Sequence, residues 1–465
     1  MMVRIKDFMK RSADKVRKRA FFRKYTRNGV CAIDNLRAKS YYYLEKISPR
    51  DMRRREKVFA ERKMKYIVIL GDGMADYPVK ELGGKTPLQT ANKPNIDKLA
   101  RLGETGLVKT VPDGMKPGSD VANLAVMGYD PLTCYTGRSP LEALSMGVNL
   151  ADDDIAVRCN LVTLSDEENY EDKIMVDYSG GEISTEEAAL LIKSVQEHFG
   201  DELHEFIAGV SYRHCMVRHH SSTGTVYTPP HDISDKPIKG HLPGGRYGEE
   251  VLDMMKRSYE FLKDHPVNVK RIKEGKRPAN SIWLWGEGTR PALENFKERW
   301  GLNGAVISAV DLVKGIGTGA GMRIIEVPGA TGNYDTNFSG KAAAAVEALD
   351  SGMDYVYIHM EAPDECGHQG DVKHKIYSIE QIDEKVVKYI SEALEKKGYD
   401  YSLLIMPDHP TPLCLKTHVS DPVPFVLYRK GMKGSGVPYD EENAKMSGVY
   451  YKSGEELAKH FLQGE

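Results

Sequence analysis

Cysteine pairs and long apolar runs are missing from this sequence. Its 465 residues include only six cysteines, scattered from Cys31 to Cys414 with no CxxC pair. This usage argues against a disulfide framework and favours reduced thiols in a cytoplasmic setting. No uninterrupted apolar run approaches the ~20 residues that a membrane helix needs. We therefore expect a protein without structural disulfides or membrane spans.

An even distribution of charge is also missing. Residues 1–63 contain 21 basic and 7 acidic residues, whereas the remainder contains 44 basic and 60 acidic residues, so the net charges are +14 and −16. An acidic body does not suggest a nucleic-acid-binding protein. The basic extension lacks the apolar core of a secretory signal. A solvated extension is the simplest interpretation, and a transit peptide or an arm that contacts RNA or membrane are the alternatives.

Nucleotide-binding motifs are absent or weak. Gly83–Thr86 reads GGKT, but position 79 is valine, so the leading glycine of a phosphate-binding Walker loop is missing. Gly315, Gly317 and Ala320 imitate a dinucleotide-binding fingerprint, but no suitable acidic residue follows about 20 residues later. We give neither pattern weight as a cofactor site.

Two β-rich apolar runs near the C-terminus are each followed by a carboxylate and a histidine. The run Tyr355–His359 leads to Asp364 and His368, and His418 follows further along the chain. A second run, 401–406, leads directly into Asp408 and His409. Functional groups collect at the carboxyl ends of parallel strands in α/β sheets. A helix over 373–397 lies between the two runs and predicts a βαβ crossover.

A third strand end carries another acid. Lys65–Leu70 has the pattern of a buried strand, and Asp72 follows it in Gly71–Gly73. Alone, Asp72 could be a turn residue, and a lone histidine is more often a core or solvated residue. Six such residues at strand ends instead indicate oxygen and imidazole ligands without thiolate, which suit Mn²⁺, Zn²⁺ or Mg²⁺. Six ligands exceed the needs of one catalytic ion, so we expect two divalent ions.

Ser119 is the candidate nucleophile. Pro117-Gly118 predicts a turn, and Ser119 and Asp120 begin a helix that runs to Val126. The simple interpretation is a helix N-cap. The N-terminus of a helix is also a place where free N–H groups and the dipole hold a phosphate. A serine hydroxyl bound to a metal ion would lose its proton readily, so Ser119 could accept a phosphoryl group.

The length favours more than one domain. The pattern of predicted strands and helices changes near Ala151, and the new pattern continues until about Ser281. We predict a basic extension over 1–63, a first core segment over 64–150, an inserted domain over 151–281 and a second core segment over 282–465. The fold class predicted is α/β, with a mostly parallel sheet flanked by helices and a smaller inserted α+β domain.

Several blocks together resemble the cofactor-independent phosphoglycerate mutases of archaeal type, members of the alkaline phosphatase superfamily. The resemblance begins at Met64 and continues nearly to the C-terminus. The matching blocks are GDGMAD, GSDVANLAVMGYDP, YTGRSPLEA, DECGH, PDHPTP and THVSDPVPF.

The resemblance implies an alkaline-phosphatase-like core with two metal ions, Mn²⁺ foremost, and a transient phosphoserine at Ser119. It implies interconversion of 3-phosphoglycerate and 2-phosphoglycerate without bisphosphoglycerate, with the inserted domain closing over a small phosphorylated hydroxy acid. One ion would be held by Asp364, His368 and His418, and the other by Asp72, Ser119, Asp408 and His409. The substrate-binding residues expected are Arg158, Arg213, His214, Arg218, Arg290 and Lys314.

Two alternative activities fit the same blocks, because the metal motifs identify phosphoryl chemistry and not the acceptor. One is a metal-dependent phosphatase or sulfatase with an open site. The other is a homoserine kinase-like phosphotransferase, since a bacterial branch of the family has been proposed to phosphorylate homoserine. A non-catalytic binding protein built around residues 1–63 is a weaker alternative. The sequence does not indicate an oligomeric state.

Overall fold

The computed structural model describes residues 64–434 and 436–464. Apolar runs of the sequence form its central strands. The basic extension predicted over 1–63 lies outside these residues. Fifteen strands occur within the described part of the chain. They are β1 Lys65–Gly71, β2 Glu104–Val108, β3 Ile155–Leu164, β4 Met175–Asp177, β5 His204–Ile207, β6 Arg213–Arg218, β7 Thr225–Val226, β8 Gly244–Gly245, β9 Ser281–Thr289, β10 Gly304–Ile307, β11 Arg323–Ile324, β12 Tyr355–Met360, β13 Tyr401–Met406, β14 Val423–Arg429 and β15 Tyr450–Tyr451.

Sixteen α-helices surround these strands in the described chain, together with three short 3₁₀ turns. They are α1 Pro87–Thr90, α2 Pro94–Leu102, α3 Ser119–Val126, α4 Pro131–Cys134, α5 Arg138–Ser145, α6 Thr185–Phe199, α7 Gly248–Leu262, α8 Pro266–Lys273, α9 Phe296–Trp300, α10 Asp311–Gly319, α11 Phe338–Asp350, α12 Ala362–Gln369, α13 Val372–Gln381, α14 Lys388–Lys397, α15 Glu441–Met446 and α16 Gly454–Gln463. No helix within 64–434 and 436–464 combines the length and apolar character needed to cross a bilayer.

The larger sheet has eight strands in the order β11-β10-β12-β1-β13-β14-β2-β15. The five strands from β11 to β13 are parallel, and β14 runs antiparallel to both of its neighbours. Alternate residues of β1 enter two separate cores: Ile67 and Ile69 pack on one face, Val68 and Leu70 on the other. Burial on both faces explains why the central strands are continuous apolar runs. The predicted α/β fold class with a mostly parallel sheet is confirmed.

The register brings the carboxyl ends of the three central strands to one edge. Gly71 of β1 pairs with Met360 of β12, and Leu70 pairs with Met406 of β13. Residues that follow these positions therefore leave the sheet side by side.

The single helix predicted over 373–397 is interrupted. A π-helical segment, Ile382–Val387, separates α13 from α14. Asp383 within it is buried and accepts hydrogen bonds from the Ile96 backbone amide and the Asn95 side chain, both at 2.7 Å. The Asp383 carboxylate thus accepts hydrogen bonds at the N-terminus of α2, where the preceding residue Lys93 provides no side-chain cap.

A second sheet pairs β4, β3, β6 and β5 in that order, and β9 lies along the other side of β3. The sequence placed a boundary at 281 and assigned the strand after it to the larger sheet. Ser281–Thr289 instead pairs antiparallel with β3, and the larger sheet resumes only at Gly304. A short apolar run identifies a strand but not its partner, which is why the sequence pattern misplaced this one.

The two faces of β3 have different environments. Ile155, Val157 and Leu161 pack into the second core, formed with α6 and α7. Ala156 on the opposite face packs with Ala143 of α5. This second face is turned toward the helices of the larger sheet.

Candidate active site

The three aligned strand ends carry the acids and histidines that the sequence singled out. Asp72 follows β1 directly. Helix α12 begins just after β12 and projects two ligand-type side chains one turn apart, and the loop after β13 carries the others. The residues brought together at this edge are Asp72, Asp364, His368, Asp408, His409 and His418.

One group consists of Asp364, His368 and His418, whose ligand atoms lie within 4.8 Å of one another. His368 Nε2 is 3.2 Å from Asp364 Oδ2, and His418 Nε2 is 3.4 Å from Asp364 Oδ1. The two imidazole Nε2 atoms face each other at 2.9 Å. Two nitrogens and a carboxylate directed at one point form a ligand set that zinc or manganese would accept.

A second group contains Asp72, Asp364 and His409, again within 4.8 Å. His409 Nε2 lies 3.6 Å from Asp72 Oδ1 and 3.4 Å from Asp408 Oδ2. Asp364 thus takes part in both groups, although the resemblance assigned it to one ion only. Asp408 also accepts from the His409 amide at 2.9 Å and from the Gly73 amide at 3.3 Å.

Ser119 lies beside the second group. It is the first residue of α3, and Gly118 rather than Ser119 occupies the N-cap position. Its Oγ is 3.2 Å from His409 Nε2, so the hydroxyl faces the ligand cluster instead of capping the helix. Asn123, one turn later, donates to the Ser119 carbonyl and to Asp408 Oδ2, each at 2.8 Å. The helix therefore fixes the serine relative to the acids.

Gly73 makes this close arrangement possible. Its φ is +61°, and a Cβ there would lie 2.6 Å from both Asp364 Oδ1 and Thr411 Oγ1. Only glycine combines this backbone conformation with so close an approach.

The electrostatics of the cluster fit bound cations. Burial, followed by the nearby Asp408 and Asp364 carboxylates, raises the pKa of Asp72 well above its usual value. Asp72 Oδ1 is buried without a hydrogen-bond partner among the described residues. Such an oxygen among like charges costs free energy unless a cation neutralises it. The residues present therefore fit two divalent ions.

Three supporting residues were not predicted. His359, inside β12, is 2.9 Å from Asp72 Oδ2 through Nε2 and 3.2 Å from the Ser308 hydroxyl through Nδ1. Burial lowers the pKa of His359 to about 3, so its ring is neutral and can donate to Asp72. Thr411 Oγ1 contacts both Asp364 Oδ1 and His409 Nδ1. Asn123 was detectable from its i+4 spacing to Ser119, but nothing in the sequence assigned a role to Thr411.

A cavity of about 1000 Å³ opens between the cluster and the second sheet. His368 of the first group lines it, as does Glu361, the residue after β12. Burial, with Glu365 and Asp364 nearby, raises the pKa of Glu361 to about 7. The opposite wall is basic and aromatic, formed by Arg138, Arg158, Arg213, Tyr178, Tyr212 and Trp285.

Strand alternation decides which predicted basic residues reach this cavity. Arg213 of β6 pairs with Asn160 of β3, on the same face as Arg158. His214 and Arg218 pair with the core-facing residues Cys159 and Ile155, so they lie on the other face. Both are buried, and His214 Nδ1 accepts from the Gly209 amide at 3.0 Å. Burial lowers the pKa of His214 to about 3.

Two other predicted residues also lie outside the cavity lining. Arg290 borders a separate cavity of about 290 Å³ and lies 3.5 Å from Asp152. Lys314 on α10 is paired with Glu326 at 2.9 Å. Nearby Gly315, part of the false dinucleotide fingerprint, packs against the Leu141 carbonyl, where a Cβ would lie at 1.8 Å. The glycines of this stretch serve helix packing.

Comparisons with known proteins identify similar chains. The family profile described as 2,3-bisphosphoglycerate-independent phosphoglycerate mutase matches residues 100–268. A Geobacter sulfurreducens protein, named a probable mutase of this kind, is 53% identical over 401 residues, 86% of this chain and 100% of its own. The Methanosarcina barkeri mutase is 51% identical over 385 residues, 82% of this chain and 95% of its own.

Solved structures share the fold. A Pyrococcus horikoshii protein superposes with a TM-score of 0.71 at 31% identity, covering 86% of this chain and 97% of its own. The cofactor-independent mutase of Thermoplasma acidophilum has a TM-score of 0.61 at 24% identity, covering 86% and 99%. The chain therefore belongs to the 2,3-bisphosphoglycerate-independent phosphoglycerate mutase family.

Proposed function

We propose that this protein interconverts 3-phosphoglycerate and 2-phosphoglycerate through a phosphoserine at Ser119, without bisphosphoglycerate. The main support for this proposal is the position of the Ser119 hydroxyl. It lies 3.2 Å from His409 Nε2, beside two metal-capable groups and a cavity lined by arginines. His368 belongs to both a metal-capable group and the cavity wall. The names of the relatives, at about 50% identity, support the same activity.

Two divalent ions are proposed to complete the site. Asp364, His368 and His418 would hold one, and Asp72, Asp408 and His409 the other, with Ser119 beside it. The donors are carboxylates and imidazoles without thiolate, which suit Mn²⁺, Zn²⁺ or Mg²⁺, and we propose Mn²⁺ because the family resemblance puts it foremost. When bound, the ions supply positive charge that stabilises the transferring phosphoryl group and lowers the pKa of the serine hydroxyl.

Two displacements at phosphorus give the reaction. In the first, Ser119 Oγ bonds to phosphorus, the bond from phosphorus to the C3 oxygen breaks, and the serine proton passes to that oxygen. Glycerate then turns within the cavity. In the second, the C2 hydroxyl oxygen bonds to phosphorus, the bond to Ser119 Oγ breaks, and the proton of the C2 hydroxyl passes to the serine oxygen.

The cavity suits a small phosphorylated hydroxy acid. Arg158 and Arg213 present forked donors that match phosphate and carboxylate oxygens. The second sheet forms the wall opposite the strand-end cluster, a position from which it can keep water away from the phosphoserine. We propose that the enzyme acts in the cytoplasm. The five cysteines in the described part of the chain are unpaired, as expected there.

A coupled assay tests the proposal. Metal-depleted protein is resupplied with Mn²⁺, Mg²⁺ or Zn²⁺, and conversion of 3-phosphoglycerate is followed without bisphosphoglycerate. We expect turnover that depends on metal, is highest with Mn²⁺ and is abolished by Ser119→Ala, together with phosphate on Ser119 in a quenched wild-type sample. Isomerisation by Ser119→Ala would refute the route. Steady phosphate release would indicate a phosphatase, and phosphohomoserine formed from ATP and homoserine would indicate the kinase.

A further inference from the structure

A buried carboxylate lies between two arginines on the cavity wall. Glu142 of α5 is only 8% exposed. Its Oε1 is 2.8 Å from Arg138 Nε, and its Oε2 is 2.9 Å from Arg158 Nε. Arg138 belongs to the same helix one turn earlier, whereas Arg158 belongs to β3 of the second sheet. One side chain therefore links basic groups from two different parts of the fold.

The pairing uses only one nitrogen of each guanidinium. Both contacts are made through Nε, and neither arginine makes another side-chain hydrogen bond or ion pair to the residues that the structure describes. Arg158 also lies 4.0 Å over the Trp285 ring, which fixes the plane of its guanidinium. The terminal nitrogens of both side chains thus remain available for a ligand in the cavity.

The charges explain why such a link is needed. Two guanidinium groups near one another repel, and burial lowers the pKa of Arg158 to about 10 against the attraction of Glu142. The Glu142 carboxylate between the two guanidinium groups leaves a net charge of +1 and holds the two groups at a fixed spacing. A carboxylate or phosphate of the substrate can then receive donors from both.

We propose that Glu142 is a positioning residue. It holds Arg138 and Arg158 so that both guanidinium groups can bind the same anionic group of the substrate. This inference rests on the proposed function. It adds Arg138, which the sequence had not suggested, to the substrate-binding set. A purely structural role, in which Glu142 only joins α5 to β3, is the competing explanation. The positioning role and the structural role differ in whether replacing Glu142 changes KM for 3-phosphoglycerate.

The primary test is Glu142→Gln in the metal-loaded full-length protein. An amide of the same size removes the negative charge that pairs with both guanidinium groups. We expect KM for 3-phosphoglycerate to rise about 10-fold or more, with kcat changed less than about 3-fold and the apparent affinity for Mn²⁺ unchanged. Glu142→Asp, which keeps the charge but shortens the reach, should fall between wild type and Glu142→Gln.

Glu187→Gln provides the matched control. Glu187 pairs with Arg271, a buried arginine of the second sheet's helical layer, outside the cavity lining. We expect it to lower the melting temperature without changing KM. If Glu142→Gln behaves in the same way, losing stability while KM stays constant, the positioning role is overturned.

A double-mutant cycle and a binding measurement complete the experiment. Adding Glu142→Gln to Arg158→Lys should raise KM by a smaller factor than it does in wild type, because only the contribution through Arg138 remains, whereas fully additive effects would overturn the inference. Calorimetry with 3-phosphoglycerate separates the two proposals. If wild type binds 3-phosphoglycerate in a Glu142-dependent way but does not isomerise it, only the proposed function fails. If wild type isomerises it and Glu142→Gln binds it equally well, only this inference fails.

Discussion

The strand-end cluster and the cavity wall differ in how their side chains are held. The cluster consists of residues that follow three neighbouring strands, and Asp72, Asp408 and His409 are almost completely buried. The wall is built from one face of the second sheet and from α5, and its arginines are only partly buried. The proposed phosphoryl-transfer groups therefore follow directly from the ends of neighbouring strands, while two of the proposed substrate-binding groups, Arg138 and Arg158, are held through Glu142. We expect substitutions in the cluster to remove activity and substitutions in the wall to weaken binding.

The largest effect is expected for the proposed ligand Asp364, which belongs to both metal-capable groups. Asp364→Asn should lower kcat by about 10³-fold or more, because it weakens both ion sites that stabilise charge in the transition state. Steady-state rates at saturating Mn²⁺ measure this. Asp350→Asn, a partly exposed carboxylate paired with Lys397, is the control and should retain nearly full activity. An Asp364→Asn protein with wild-type kcat would contradict the cluster assignment.

The next effect separates two arginines that the sequence grouped together. Arg213→Lys should raise KM for 3-phosphoglycerate about 10-fold, because lysine lacks the planar fork that receives an oxyanion. Arg290→Lys should leave KM unchanged, since Arg290 lies at the other, smaller cavity. Initial rates across substrate concentration distinguish the two. Equal effects of the two substitutions would show that the cavity wall is wrongly assigned.

A third substitution tests the support behind the cluster. His359→Gln removes the imidazole that joins Asp72 to Ser308 and should weaken Mn²⁺ binding about 10- to 100-fold, as loss of an outer hydrogen bond to a ligand does. Competition with a chelator measures the affinity. Excess Mn²⁺ should restore most of the activity. His374→Gln, whose ring contacts Asp371, should leave the affinity unchanged.

The smallest effect concerns stability. Burial raises the pKa of Glu441 to about 7, although Thr86 and the Asp76 amide donate to its carboxylate. The folded state binds a proton that the unfolded state releases near pH 4.5, so the stability from this group is full below pH 4.5 and is lost as pH rises through 7. Between pH 5 and 8, urea unfolding should show wild type losing about 2 kcal/mol relative to Glu441→Gln. Parallel stability curves for the two proteins would exclude this titration.

The sequence predicted the cluster better than the wall for a physical reason. Asp72, Asp364, Asp408 and His409 each follow a strong strand pattern within a few residues, and parallel strands bring their ends together whatever the rest of the fold does. Arg158 and Arg213 lie on the cavity face, whereas His214 and Arg218 lie on the core face, and period-2 alternation along β6 separates them. The spacing of Arg213, His214 and Arg218 in the sequence already indicates that separation. The partner of β9 and the proposed role of Glu142 could not be predicted from the sequence, because both depend on contacts between segments that are distant in the chain.

The shared position of Asp364 has a consequence for metal uptake. Asp364 belongs to both metal-capable groups, so a cation bound in either group would orient the same side chain for the other. Filling should consequently be cooperative, with a sigmoidal rise of activity against free Mn²⁺ concentration and few singly loaded molecules at equilibrium.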